Sequence, residues 1–257
     1  MEYTKIKFSI ADGIARLVLA DPANRNAIGL RVTQELHAAA IACEATSNLR
    51  CVLLTGEGAQ FSVGGDLNEF IRERARLQAH AREMTVNFHA AILLLNRLSA
   101  PLVCGVNGLA AGGGLSLVCM SDFALAKRSA KMNFAYTRSG LTPDGGATYF
   151  LPRLVGLQRA FDILATNPTL SADAAYALGL IARVVEDSDY DAALEAVVQQ
   201  LATMPSSAVG RLKMLVRAGI ENSLAAQLDL EGRTIAAQAA TPETLATLER
   251  FLAKHQP

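Results

Sequence analysis

The chain has 257 residues and balances 24 basic against 24 acidic side chains, with 51% hydrophobic and 19% charged residues. It is long and apolar enough for a sizeable buried core, and its charge balance excludes the basic footprint of a nucleic-acid binder. Its four cysteines show no CxxC spacing and its four histidines no HExxH-type spacing, which reads as buried free thiols in a reducing compartment and no metal site.

The first residues, MEYTKIKFSI, lack the apolar run of a signal peptide, so a cytoplasmic location is expected. IKFSI and IARLVLA flank Ala11-Asp12-Gly13, a hairpin pattern. A helix is predicted from about Leu30 to Glu44, and CVLLTG is a short buried strand ending in a glycine turn. FSVGGDLNEF places a glycine pair before a helix, with Asp66 positioned as its cap. Leu67 to Leu98 reads as mostly helical. Leu98 to Ser121 carries no charge over about the length of a membrane span. Pro101, Asn107 and five glycines divide it into strand, loop and helix, so no membrane span is expected. FALAKRSAKMNF reads as two short strands around a charged turn.

Strand, strand, helix recurs along this part of the chain, which argues for an α/β domain with a stacked or spiral arrangement. After about Val185 the pattern becomes helical throughout: YDAALEAVVQQLATM, SSAVGRLKMLVRAG, SLAAQLDLEGRTIAAQ and TPETLATLERFLAKH. Thr241-Pro242-Glu243 is a strong helix start. Such a tail packs on its own core or on another subunit.

Gly112-Gly113-Gly114 opens the segment LSLVCM. A glycine loop leading into a helix leaves backbone N–H groups free for an anion or oxyanion; tight helix packing alone would use the same residues. The N–H of Gly65 is placed in the same way, so the two loops are able to donate to one oxygen. In SGLTPDGGATYFLPRLVG, Asp144 reads by itself as a turn or cap residue.

The ordered set NRNAI, LLTGEGAQFSVGGDL, PLVCGVNGLAAGGG, SDFALA, GLTPDGGATYFLPRLVG and LGLIARVV resembles the crotonase superfamily, the enoyl-CoA hydratase/isomerase family, over essentially the whole chain. The resemblance implies an α/β crotonase spiral of ββα units over residues 1–195, holding an acyl-CoA site. It also implies a helical oligomerisation region over 196–257, building a homotrimer or a dimer of trimers. The substrate is then a CoA thioester, with no further cofactor, no nucleic acid and no membrane partner. Gly65 and Gly113 match the family's two oxyanion donors. Asn24, Arg25, Ala27, Val63, Asp66 and Leu67 fall in the segments that wrap CoA.

Hydratases of this family use two glutamates, and neither is here: the matching positions hold Ser116 and Tyr136. Adding water across a double bond needs a base for the water and an acid for the carbon, so an efficient hydratase is not expected. Between Asn107 and Phe150 the acids are Asp122, matching a structural position, and Asp144. One carboxylate suffices to shuttle a proton, moving a double bond from the 3- to the 2-position. The GLTPDGG stretch resembles that isomerase branch, with Asp144 as acid/base and with Ser116, Tyr136 and His89 in the pocket. The sequence also resembles the 4-halobenzoyl-CoA dehalogenase branch, where Asp144 would be the nucleophile, His89 the base for water, and Tyr136 would replace a positioning tryptophan. A non-catalytic or weakly hydrating acyl-CoA-binding member is the third reading. Arg211, Lys213, Arg217 and Lys254 in the tail read either as partners of the CoA phosphates or as a solvated helix face.

Overall fold

The computed structural model describes residues 2–254, apart from the side chain of Lys254. The reading of Lys254 as a phosphate partner therefore lies outside the described residues, as does His255. Strands β1 (Ile6–Ala11) and β2 (Ile14–Leu19) pair antiparallel. Asp12 and Gly13 both take left-handed backbone, φ 51° and 76°. Two such residues in sequence make the tight turn whose twist matches a hairpin. Helix α1 (Leu30–Glu44) follows.

From there one course repeats. A strand enters a six-stranded sheet, a three-residue strand enters a second sheet, and helix follows. The first pass is β3 (Cys51–Gly56), β4 (Gln60–Ser62), α2 (Leu67–Arg72) and α3 (Leu77–Arg97); the second is β5 (Leu102–Val106), β6 (Leu109–Ala111) and α4 (Gly113–Met120). The third is β7 (Phe123–Lys127), β8 (Lys131–Asn133), α5 (Ala147–Val155) and α6 (Leu157–Thr166). Then come β9 (Leu170–Ser171), α7 (Ala172–Ala177) and β10 (Arg183–Val185). The large sheet has the order β1-β2-β3-β5-β7-β10 and is parallel from β2 onward; the small one is β4-β6-β8-β9. This is the spiral expected from the recurrence.

Two layers of core explain why the central strands are apolar throughout. Val52 and Leu54 of β3, with Leu102, Cys104 and Val106 of β5, face the main core. Their neighbours Cys51, Leu53 and Val103 face helix α8 (Tyr190–Thr203), packed under Tyr190, Leu194 and Val198. Alternation along a strand sends successive side chains to opposite faces, and a parallel sheet covered on both faces selects hydrophobic residues at every position. All four cysteines are free and buried, and burial pushes the thiols of Cys43, Cys51 and Cys119 up to about 12.

Two sequence expectations need refinement. The Leu67–Leu98 segment is not one helix: a 3-10 turn at Arg74–Arg76 separates α2 from α3. The expected boundary at residue 195 falls inside α8, which belongs to the core.

Beyond α8 lie α9 (Ser206–Ala218), α10 (Leu224–Ala239) and α11 (Pro242–Lys254). The basic residues of α9 are not a solvated face. Lys213 Nζ lies 2.8 Å from Asp122 Oδ2, and Arg217 Nη2 lies 2.6 Å from Asp122 Oδ1. Asp122 also accepts the Leu102 N–H, at 2.8 Å. Arg211 donates to the carbonyl of Thr234 at 3.0 Å. Burial pulls the pKa of Lys213 down and Asp122 opposes that pull. Asp122 therefore anchors the tail to the start of β5, in keeping with the structural position it matches.

Candidate active site

The site forms where two passes of the spiral end side by side. Ile28 pairs with Gly65 in a single parallel bridge: the Ile28 N–H donates to Gly64 O at 2.7 Å, and the Asp66 N–H donates to Ile28 O at 3.1 Å. In a parallel bridge the bonds come from the residues on either side of the paired one. The N–H of Gly65 thus points away from Ile28, and a Cβ on Gly65 would meet nothing within 4 Å.

The second glycine opens α4. Gly112 holds left-handed backbone at φ 48°, and its carbonyl accepts the Ser116 N–H at 3.0 Å. Gly113 is then the first helical residue, whose N–H has no partner within the helix. Both glycines line one cavity of about 300 Å³ with Ile28, Phe88, Tyr136 and Asp144. Asp144 is the single ionisable carboxylate on that lining among the described residues.

Asp144 does not cap α5, as a turn reading alone would have it. Its Oδ1 accepts the Tyr136 hydroxyl at 2.5 Å. Gly145 and Gly146, with φ 60° and 78°, carry the chain from Asp144 into α5 through left-handed backbone. A Cβ at Gly145 would sit 2.6 Å from the Phe88 ring and 2.9 Å from Ser116 Cβ. The loop bearing Asp144 is therefore wedged in place. Burial, and then the Asp144 charge, push the Tyr136 pKa up. Tyr136 consequently stays protonated as a hydrogen-bond donor to the carboxylate.

Ser116 is fully buried and lies behind the wall, which corrects its expected place on the pocket surface. Its Oγ sits 3.0 Å from Asp144 O, 3.3 Å from Gly112 O and 3.2 Å from the Tyr136 hydroxyl. With backbone carbonyls to donate to, it steadies the Asp144 loop and is no base. His89 is likewise absent from the lining. Its Nε2 accepts the Gly145 N–H at 3.2 Å and lies 3.9 Å from Asp144 Oδ2.

The segments matched to CoA run alongside each other. The Val63 N–H donates to Arg25 O at 3.2 Å, and Asn24 Nδ2 donates to Asp66 Oδ2 at 3.0 Å. Asp66 caps α2, accepting the Glu69 N–H at 3.0 Å. Val63 and Leu67 reach the cavity, whereas Asn24, Arg25, Ala27 and Asp66 lie outside its lining. On α2 and α3 the sequence reading named Leu67 for the CoA segment and His89 for the pocket; Phe70, Met84 and Phe88, which it did not name, line the cavity. Their spacing along the two helices was the available signal, but apolar residues at helical spacing also describe any core face. Among the described residues no cluster of three or more His, Cys, Asp or Glu is able to hold a metal ion. No helix among them is long and apolar enough to cross a membrane.

Comparison with known proteins agrees with this architecture. A curated relative, 4-chlorobenzoyl coenzyme A dehalogenase-2 of Arthrobacter sp., is 32% identical over 244 residues, 95% of this chain and 88% of the relative. The 1,2-epoxyphenylacetyl-CoA isomerase of Escherichia coli K12 is 33% identical over 254 residues, 96% of this chain and 95% of the relative. The crystal structure of an enoyl-CoA hydratase from Mycobacterium smegmatis matches with a TM-score of 0.90 at 30% identity, covering 99% of this chain and 98% of that one. The family model described as enoyl-CoA hydratase/isomerase matches residues 9–257. With its spiral, its paired glycine loops and these matches over nearly its whole length, the chain has the crotonase fold and belongs to the enoyl-CoA hydratase/isomerase family.

Proposed function

We propose that the protein binds an enoyl-CoA and moves its double bond from the 3- to the 2-position, with Asp144 as the proton shuttle. The observation that carries this reading is the single carboxylate on an otherwise uncharged cavity that also holds Gly65 and Gly113. The Asp144 carboxylate takes a proton from C2 of the thioester. The C–H electron pair passes into a dienolate, whose oxygen accepts the N–H groups of Gly65 and Gly113. Each such donor contributes about 3–4 kcal/mol to the transition state. Asp144 then returns the proton to C4, the carbonyl reforms, and the double bond lies between C2 and C3. Tyr136 occupies Oδ1, which leaves Oδ2 for the transfer. Hydration would need a second acid/base, and Ser116, donating to carbonyls, is not equipped for it.

A second reading, attack of Asp144 on the ring of a 4-halobenzoyl-CoA with His89 as base for water, draws on His89 Nε2 lying 3.9 Å from Asp144 Oδ2. That nitrogen's lone pair is taken by the Gly145 N–H, and His89 is not among the residues lining the cavity. The first reading is therefore favoured.

The test is incubation with a 3-enoyl-CoA in deuterium oxide, followed by mass spectrometry. Conjugated 2-enoyl-CoA is expected, with Asp144→Asn slower by roughly a thousandfold. Deuterium uptake without a double-bond shift would mean that an enolate forms and the substrate is a different one. Neither shift nor exchange would exclude isomerisation of that substrate, and chloride release from 4-chlorobenzoyl-CoA would then establish the second reading.

A further inference from the structure

A partly buried polar contact outside the cavity ties together three parts of its wall. Glu69, on the first turn of α2, turns its carboxylate toward the start of α1: Oε1 and Oε2 each lie 3.2 Å from the N–H of Leu30. This N–H is the first of the helix, where an acid meets unpaired donors and the positive end of the dipole. The approach depends on Gly29. Its φ of -97° is open to any residue, so conformation does not demand glycine there. Space does, because a Cβ at position 29 would collide with Glu69 Oε2. From the other side the His80 ring of α3, its side chain 2% exposed, packs close, with Nε2 3.1 Å from Glu69 Oε1 but neither ring nitrogen hydrogen-bonded among the described residues. Phe70 meets the His80 ring edge-on, with centroids 6.3 Å apart.

Each member of this contact is the chain neighbour of a cavity-wall residue or lies two away from one: Leu30 follows Ile28 by two, Glu69 precedes Phe70, and His80 precedes Ala81. Glu69 also follows Gly65 by four residues, in the helix that Gly65 leads into. The Ile28–Gly65 bridge fixes the segment before α2, and the Glu69 contact fixes the first turn of α2. Together they bracket the Gly65 N–H and set its direction.

We propose that Glu69, seated on Gly29 and backed by His80, is a positioning residue that aims the Gly65 donor at the thioester oxygen. This inference rests on the reading of Gly65 as an oxyanion donor. It adds a reason for a glycine and an acid that touch neither substrate nor Asp144.

The experiment uses the full chain and hexanoyl-CoA carrying carbon-13 at the thioester carbonyl, with the carbonyl band followed by difference infrared spectroscopy. Binding to the wild type is expected to move the band to lower frequency, as two donors polarise the bond. In Glu69→Ala the displacement should fall by half or more. On a 3-enoyl-CoA, kcat should drop at least about tenfold, short of the hundredfold or greater loss from deleting a donor outright, while KM changes little. Glu69→Gln, which keeps an oxygen for Leu30, should recover most of the displacement. Gly29→Ala pushes the carboxylate off its seat without touching Glu69 and should reproduce the loss, and it serves if Glu69→Ala does not fold. The double variant should be no worse than Glu69→Ala, since both changes break one contact. An equal displacement in wild type, Glu69→Ala and Gly29→Ala would overturn the inference while leaving the donor role of Gly65 intact. A wild type that leaves the band at its free position would overturn the donor role itself, and this inference with it.

Discussion

Tyr136 gives the site its character at the scale of single residues. By the family resemblance it stands where a hydratase carries a glutamate, and its hydroxyl meets Asp144 at 2.5 Å. A hydrogen bond to a charged group contributes about 1.5–3 kcal/mol. Its burial keeps the phenol neutral, so its part is to hold the carboxylate. Removing it with Tyr136→Phe should lower kcat on a 3-enoyl-CoA by about tenfold to a hundredfold. KM should change little, because the lost contact orients a base and does not bind the acyl chain. Steady-state kinetics checks both numbers, and an unchanged kcat would mean that the wedge around Gly145 positions Asp144 by itself. Ser116 illustrates what residue identity alone conveys. Its place after three glycines marks it as the substitute for a glutamate, but only packing shows its hydroxyl turned to the carbonyls of Gly112 and Asp144.

Between elements, the joint that matters most for the tail is Asp122 with Lys213 and Arg217. Breaking a buried ion pair on one side leaves a charge stranded, at a cost of about 3–5 kcal/mol. Lys213 is 8% exposed in its side chain, so Asp122→Asn should show this loss as a lower thermal midpoint. Limited proteolysis should at the same time cut α9–α11 faster than the core. A variant melting with the wild type would show that apolar packing of α9 suffices. Local pattern revealed much at this scale. The β1–β2 turn, α1 and the four tail helices all lie where periodicity and caps place them, because each is decided by residues a few positions apart. The break between α2 and α3 was not legible, since the charged residues around Arg74–Arg76 suit an exposed helix equally well. Nor was the division of β7 and β8 between two sheets, which depends on partners from other passes of the spiral.

The whole molecule presents its tail as an unfinished surface. Leu224 is 75% exposed, Ile235 70% and Val216 62%. Apolar area of this kind on a single chain marks an interaction surface. We expect self-association as a homotrimer or a dimer of trimers, and sedimentation equilibrium at micromolar concentration should return three or six chains per particle. A monomer would require the tail faces to serve some other partner. Placing Glu or Lys at Leu224 and Ile235 together should shift the particle toward single chains, with the α8-covered core intact.

The sequence by itself determined the class of fold and the two glycine loops, because these rest on short motifs and on periodicity within one element, and its resemblance to the family implied that both hydratase glutamates are absent. It also marked Asp144 as the available carboxylate, by counting acids over one stretch of chain. The tertiary structure decided everything that depends on approach between distant segments. It put Gly65 and Gly113 on one cavity and gave Asp144 to Tyr136. It buried Ser116 behind the wall, left His89 off the cavity lining, paired Asp122 with α9, and brought Glu69 to the start of α1. The physical reason is common to all of these. Apart from the Tyr136–Asp144 contact, which closes over eight residues, these partners come from segments tens of residues away, and no local pattern encodes which hydroxyl or amide will arrive there.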